Sequence, residues 1–278
     1  MTQQARFRAF AALHVPGDPL VLYNVWDAGS AKAVAEAGAR AIATGSASVA
    51  AAHGFSDAEE LPLELALANA ARVVAAVDLP VTIDFEGGYA VEPDAVAANV
   101  ARLAETGAVG CNFEDQIVGG EGLHPIDVQA ARIRAIRQRV GPDFFLNART
   151  DIFLKAKIET HDAAMVEGAL ERVHAYAEAG ASGFFVPLLS DLDLLAHFCA
   201  ESPLPVNFMA YPGAPAAKDV AAAGVARISH GPFPHKLAMQ ALYQWQLTRQ
   251  SATEIKQQHL EDEESAGVDE DHFSELVT

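Results

Sequence analysis

Short runs of consecutive apolar residues alternate along this chain with longer Ala-rich stretches whose polar residues recur at helical spacing. The apolar runs fall at 20–25, 41–44, 81–85, 109–113, 144–148, 183–186, 205–209 and 226–229, and several stay apolar until their last positions. Such runs suit strands buried on both faces, as in a parallel sheet covered by helices. The intervening stretches carry helical punctuation. AVAEAGAR at 33–40, VARLAETGAVG at 100–110, HAYAEAGASG at 174–183 and KDVAAAGVARIS at 218–229 each bring a helix to a glycine just before the next strand. Glycine there closes the last helical turn in a left-handed conformation. Eight βα units predict an α/β fold, a (β/α)8 TIM-type barrel. A nucleotide-binding doubly wound sheet would instead want GxGxxG after the first strand, where residues 24–30 read NVWDAGS. The pattern changes near residue 240, where AMQALYQWQL at 238–247 predicts an additional C-terminal helix. Nine of the 37 acidic residues then fall within 251–278. The expected organisation is a barrel with its extra helix over 1–250 and an acidic, disordered or solvated tail over 251–278.

Composition narrows the class. The chain has 278 residues, 51% of them hydrophobic, and the usual size of a single barrel is about 250 residues. No apolar stretch approaches the roughly 18 residues of a membrane helix, and no signal-peptide run follows the N-terminus, so a soluble cytoplasmic protein without a membrane partner is expected. A net charge of −18 disfavours nucleic acid and anionic membrane surfaces. It leaves room for a small anionic substrate if a metal ion inverts the local field. Cys111 and Cys199 show no metal-ligand spacing and read as buried thiols.

Barrel enzymes carry their chemistry at the C-terminal ends of the strands, and polar residues concentrate there. Asp84 and Glu86 follow one apolar run, and Glu114 follows the next. Two apart on one strand, Asp84 and Glu86 point to the same side, and Glu114 leaves the adjacent strand at the same level. Three converging carboxylates call for a hard cation, Mg²⁺ or else Mn²⁺; the plainer alternative is that they cap helices or face solvent. Arg149 offers a planar fork for a substrate carboxylate, or for a structural ion pair with one of these acids. Gly45, Ser46 and Ala47 are small enough for backbone N–H groups to approach an anion. Asn207, Tyr211, Ser229 and His230 end the later strands.

Four segments, AIATGSASVAAAHGFSDAEELPLE at 41–64, DFEGGYA at 84–90, NFEDQ at 112–116 and NARTD at 147–151, occur in the same order as in the isocitrate lyase and phosphoenolpyruvate mutase superfamily. The chain resembles that superfamily from about residue 7 to 247. The resemblance implies Mg²⁺ held by Asp84, Glu86 and Glu114, largely through waters, with Asp57 reaching metal or substrate. It implies that the backbone at Ser46 and Ala47, with Arg149 and Asn207, holds substrate carboxylates. It also implies a homotetramer, a dimer of dimers that swaps its C-terminal helices between subunits. Glu86 departs from the family's usual aspartate. The loop at 117–124, IVGGEGLH, lacks the K-[KR]-C-G-H of the lyases that cleave isocitrate or 2-methylisocitrate, although His124 falls near the family histidine. Phe185-Val186-Pro187 stands where those lyases place a glutamate, which argues against a tricarboxylate.

These features lead to an expected Mg²⁺-dependent carbon–carbon lyase or decarboxylase. It would act on a small 2-oxo or 2-hydroxy dicarboxylate through a metal-stabilised enolate. Asp57, Arg149 and His124 are the expected catalytic residues, and Tyr211 and His230 are further substrate contacts or proton donors. Glycines 119, 120 and 122 suit a mobile lid. A phosphonate mutase or hydrolase is the first alternative, and a non-catalytic 2-oxo acid binder the second.

Overall fold

A computed structural model describes residues 2–248, and the expected tail at 251–278 lies outside the described residues. Its strands are β1 (Leu20–Leu22), β2 (Asn24–Val25), β3 (Ile42–Thr44), β4 (Val81–Asp84), β5 (Gly110–Glu114), β6 (Phe145–Arg149), β7 (Gly183–Phe185), β8 (Val206–Met209) and β9 (Arg227–Ser229). All pairings among them are parallel, in the order β1-β9-β8-β7-β6-β5-β4-β3-β2. The two ends of this sheet, β1 and β2, are consecutive in the chain and separated by Tyr23 alone. β1 pairs with β9 and β2 with β3, so one stretch of chain closes the ring. The expected first strand over 20–25 is thus a single barrel strand broken where it changes neighbours. Tyr23 at the break is half exposed and stacks on His230, with ring centroids 4.4 Å apart.

Helices alternate with the strands: α1 (Gln3–Ala11), α2 (Ala28–Glu36), α3 (Ser46–Ala52), α4 (Leu63–Ala76), α5 (Pro93–Glu105), α6 (Ile126–Val140), α7 (Ala163–Glu178), α8 (Leu192–Glu201) and α9 (Ala217–Ala222). The glycine punctuation read from the sequence is realised. Gly38, Gly107, Gly180 and Gly224 lie just past α2, α5, α7 and α9 with φ of 94°, 91°, 105° and 95°, a region that costs any residue with a Cβ. Side-chain caps begin several helices: Asp27 and Ser30 form a reciprocal capping box on α2, and Asp162 caps α7.

The main core lies between the sheet and its helices, where Val73, Val100, Leu103, Ile133, Val173 and Phe198 are fully buried. A second apolar cluster, built on Phe10, Leu20, Leu22, Ala41, Ala43, Val109 and Phe145, closes the N-terminal floor of the barrel. There α1 sets the Phe10 ring edge-on against Phe145 at 5.3 Å. The barrel interior above this floor is polar. Asn147 Nδ2 donates to Asn112 Oδ1 at 2.8 Å and to Asn207 Oδ1 at 3.2 Å, all three side chains being buried.

The described residues from Lys236 to Thr248 belong to a second unit. Its described part is helical and exposes Leu237, Leu242, Tyr243 and Trp245. No helix among the described residues is long and apolar enough to cross a membrane.

Candidate active site

A cavity of about 240 Å³ opens at the C-terminal mouth of the barrel. Its lining is polar along Ser46, Asp57, Asp84, Asn112 and Arg149 and apolar along Leu154, Phe185, Pro187, Leu188, Met209 and Phe233, the two meeting where Phe185 pairs with Arg149 and Met209 with Ser229. The polar arc follows from chain order, because β3 to β6 end there in neighbouring registers.

Asp84 is the last residue of β4, and its carboxylate is held from two sides. Ser46 donates its N–H and Oγ–H to Oδ2 at 3.1 and 3.0 Å, and Asn112 donates Nδ2 to Oδ1 at 3.2 Å. The amide of Asn112 can face only that way, because its Oδ1 already accepts from Asn147 Nδ2 and, at 3.4 Å, from Arg227 Nη2. Asn112 was absent from the expected site residues, yet it sits two positions before Glu114 on β5 and so points to the same face.

Arg149 ends β6 and is claimed by two buried acids. Nη1 reaches Glu114 Oε2 at 2.8 Å, while Nε and Nη2 grip Asp151 in bidentate fashion at 2.5 and 3.1 Å. Burial works against the guanidinium charge, but Asp151, Glu114 and Asp84 more than offset it and hold the pKa above the usual arginine value. Burial also pushes the Glu114 carboxyl above its ordinary range, with Arg149 opposing. Gln116 takes the other Glu114 oxygen. The ion-pair role read for Arg149 in the sequence is present, at a residue that also lines the cavity.

Glu86 does not continue the strand alternation. β4 stops at Asp84, and Glu86 takes a left-handed φ of 50°, so the inference that the two share a strand face does not hold. Nor is Glu114 at the level of Asp84, since Asp84 pairs in register with Asn112 and Glu114 lies two residues further along. Glu86 Oε2 instead accepts the Glu59 N–H at 2.7 Å. Burial, then the neighbouring charges of Asp57 and Asp84, push its carboxyl up to about 8. Asp57 is raised in the same way, by burial and then by Asp84. Among the described residues, no three carboxylates or other ligand side chains are arranged as a direct metal-ligand set.

Other expected residues lie around the cavity and not on its wall. Asn207 is buried in the barrel interior, its Nδ2 donating to Phe208 O at 2.7 Å and Ser229 Oγ at 3.1 Å. Tyr211 donates its hydroxyl to Ser190 Oγ at 2.9 Å. His230 donates its N–H to Asn24 Oδ1 at 2.8 Å and has Nδ1 2.9 Å from Leu22 O. His124 is buried, its N–H bonded to Asp115 O at 2.7 Å and its carbonyl to Arg172 at 3.0 Å. Burial, with Arg132 and Arg172 nearby, lowers the His124 pKa below the usual value. Gly45, Ser46 and Ala47 do line the cavity, but the Ser46 donors are spent on Asp84.

Comparison with known proteins supports the same grouping. A family model described as phosphoenolpyruvate phosphomutase matches residues 10–248. The crystal structure of a candidate phosphonomutase from Burkholderia cenocepacia J2315 is 48% identical, with a TM-score of 0.86, over 90% of this chain and 100% of that one. An uncharacterized protein of Mycobacterium tuberculosis is 38% identical over 84% of this chain and 85% of its own length. The 2-methylisocitrate lyase of Escherichia coli K12 is 28% identical over 72% of this chain and 68% of its own. With its parallel barrel and a match that covers most of the sequence, the chain belongs to the phosphoenolpyruvate phosphomutase family, an enzyme family of lyases and mutases.

Proposed function

We propose that this protein is a divalent-metal-dependent lyase that breaks the bond next to the carbonyl of a small 2-oxo or 2-hydroxy acid. The observation that carries the reading is the like-charged group Asp57, Asp84 and Glu86. At this one mouth Glu86 is buried, Asp84 half-buried and Asp57 exposed, and partial desolvation, then their neighbours' charge, pushes Glu86 and Asp57 up in pKa. Carboxylates in mutual repulsion, with oxygen as their only donor atom, suit Mg²⁺, which takes one or two of them directly and keeps several waters. Asp84 and Asp57 line the cavity and would hold the ion, with Glu86 as outer support. Glu114, already claimed by Arg149 and Gln116, would act through the arginine. A bound divalent ion would supply positive charge next to a substrate carbonyl oxygen.

The chain's own residues have separate tasks in this reading. Arg149 presents a fixed positive edge to the substrate, because three of its nitrogens are anchored behind it. Ser46 and Asn112 aim Asp84, and Ala47 offers small, close-approaching backbone at the cavity wall. The loop that includes Gly119 and Gly122, both with positive φ, is suited to cover the mouth and exclude water.

The test is product analysis by NMR with Mg²⁺ and a panel of oxaloacetate, malate homologues, 2-methylisocitrate, phosphonopyruvate and the monocarboxylate 2-hydroxy-4-methylpentanoate. Metal-dependent cleavage of a carbon–carbon bond is expected, falling about 10³-fold in Asp84→Ala. If no acid is consumed and none binds in a metal-dependent way, the reading fails. The relative described as a candidate phosphonomutase favours a second reading, a carbon–phosphorus enzyme; consumption of phosphonopyruvate alone would establish it.

A further inference from the structure

The apolar side of the cavity bears on the far end of the substrate. From the division of charge across this site we infer that the preferred 2-oxo or 2-hydroxy acid carries a single carboxylate and an apolar group at its other end. A second carboxylate or a phosphonate is disfavoured at that end. The inference rests on the reading of the cavity as the site of such an acid.

Two observations carry it. The first is the supply of positive charge. Among the described residues, Arg149 is the only cationic side chain lining the cavity. Glu114 and Asp151 already bind it, and Asp57 and Asp84 add two further acids on the lining itself. With Arg227, whose buried guanidinium also interacts with Asp84, two guanidiniums and a divalent ion just balance these four carboxylates, so the first substrate carboxylate already leaves the site short of positive charge. A second anion would have to be desolvated without a partner, which is strongly unfavourable.

The second observation is the wall that the far end would meet. Leu154, Phe185, Pro187, Leu188, Met209 and Phe233 come from β7, from the end of β8 and from the segments after β6, β7 and β9. They begin beside Arg149, whose guanidinium lies 5.8 Å over the Phe185 ring, and with β7 and β8 stand across the ring of strands from β3 and β4. Leu188 has a left-handed φ of 68°, a conformation that costs a leucine and suits a glycine. The turn that bears it is pinned from behind, because Tyr211 donates to Ser190 Oγ at 2.9 Å and Ser190 donates to Leu188 O at 3.2 Å. Tyr211 is thus a positioning residue for the apolar wall. The methylenes of a branched alkyl group seated there would each tighten binding about fourfold.

The experiment compares three 2-hydroxy acids by titration calorimetry with the full chain and Mg²⁺: lactate, malate and 2-hydroxy-4-methylpentanoate. In the last of these an isopropyl group replaces the second carboxylate of malate at nearly the same shape. The expected order places 2-hydroxy-4-methylpentanoate at least tenfold tighter than malate, with malate no tighter than lactate. Malate binding as tightly as the isopropyl acid, or tighter, overturns the inference and leaves the head-group reading standing. If none of the three binds, the head-group reading falls and this inference with it. Leu154→Arg supplies a second readout, because Leu154 is partly exposed and tolerates a long polar side chain. It is expected to raise malate affinity at least tenfold relative to the isopropyl acid, and an unchanged ratio overturns the role given to the wall.

Discussion

At the floor of the barrel, Phe10, Leu20, Leu22, Val109 and Phe145 pack as an apolar cluster, whereas at the mouth Asp57, Asp84, Glu114 and Asp151 crowd around Arg149, with Glu86 beside Asp57 and Asp84. The backbone divides in the same sense. The non-glycine residues with positive φ among the described residues are Ala58, Glu59, Glu86, Tyr89 and Leu188, and all lie in segments after β3, β4 or β7 on the mouth side. Like charge and left-handed backbone each cost stability, and they persist only where surrounding contacts over-determine them. The floor shows the reverse, with nothing to bind and close packing to gain. In this fold stability is concentrated at one end and chemical potential at the other.

That contrast can be broken in three places. The largest effect is expected at the mouth, where Arg149→Met would strand the buried carboxylates of Glu114 and Asp151. Urea unfolding should show a loss of about 3–5 kcal/mol, together with loss of turnover. A loss under about 1 kcal/mol would mean that the ion-pair hub does not hold the mouth together. At the floor, Phe10→Ala should cost about 3 kcal/mol through the cavity it leaves, while KM for the substrate stays within about twofold of the parent. A change in KM as large as that of a mouth variant would erase the division between the two ends.

The third test concerns pH. His14 stacks on Phe145 at 4.3 Å with Nδ1 3.0 Å from Phe10 O, and burial, then the charge of Arg227, lowers its pKa to about 3. The unfolded chain takes up this proton near 6.5 and the folded one only near 3. The His14 contribution to stability is therefore complete above pH 6.5 and is lost as the pH falls through that window, by at most about 1.4 kcal/mol per pH unit. Stability measured from pH 7 to 4 should fall less steeply in His14→Phe than in the parent. Parallel curves would remove the floor histidine from the acid response.

Much of this division is legible in the order of residues along the chain. Apolar runs give the strands, glycines after Ala-rich stretches give the helix ends, and the motifs around Asp84, Glu114 and Arg149 mark the mouth. Asn112 is readable too, from its two-residue offset to Glu114 on an inward-facing strand. The break at Tyr23 is not, because nothing in the run Leu20 to Val25 marks where the strand changes neighbours. Glu86 misleads for a related reason. Period-two reasoning holds only while the strand lasts, and β4 ends two residues earlier.

The sequence by itself determined the barrel, the order of its strands and the identity of the acids and the arginine at its mouth, since local periodicity and strand-end position are properties of short segments. Only the tertiary structure decided which partner each of those groups receives. Ser46 and Asn112 reach Asp84 from 38 and 28 residues away, and Asn147 reaches Asn207 across 60. The apolar wall likewise comes together from Leu154 through Phe233. Closing the barrel brings these residues together, and a linear pattern carries no record of which side chains will meet across a closed ring.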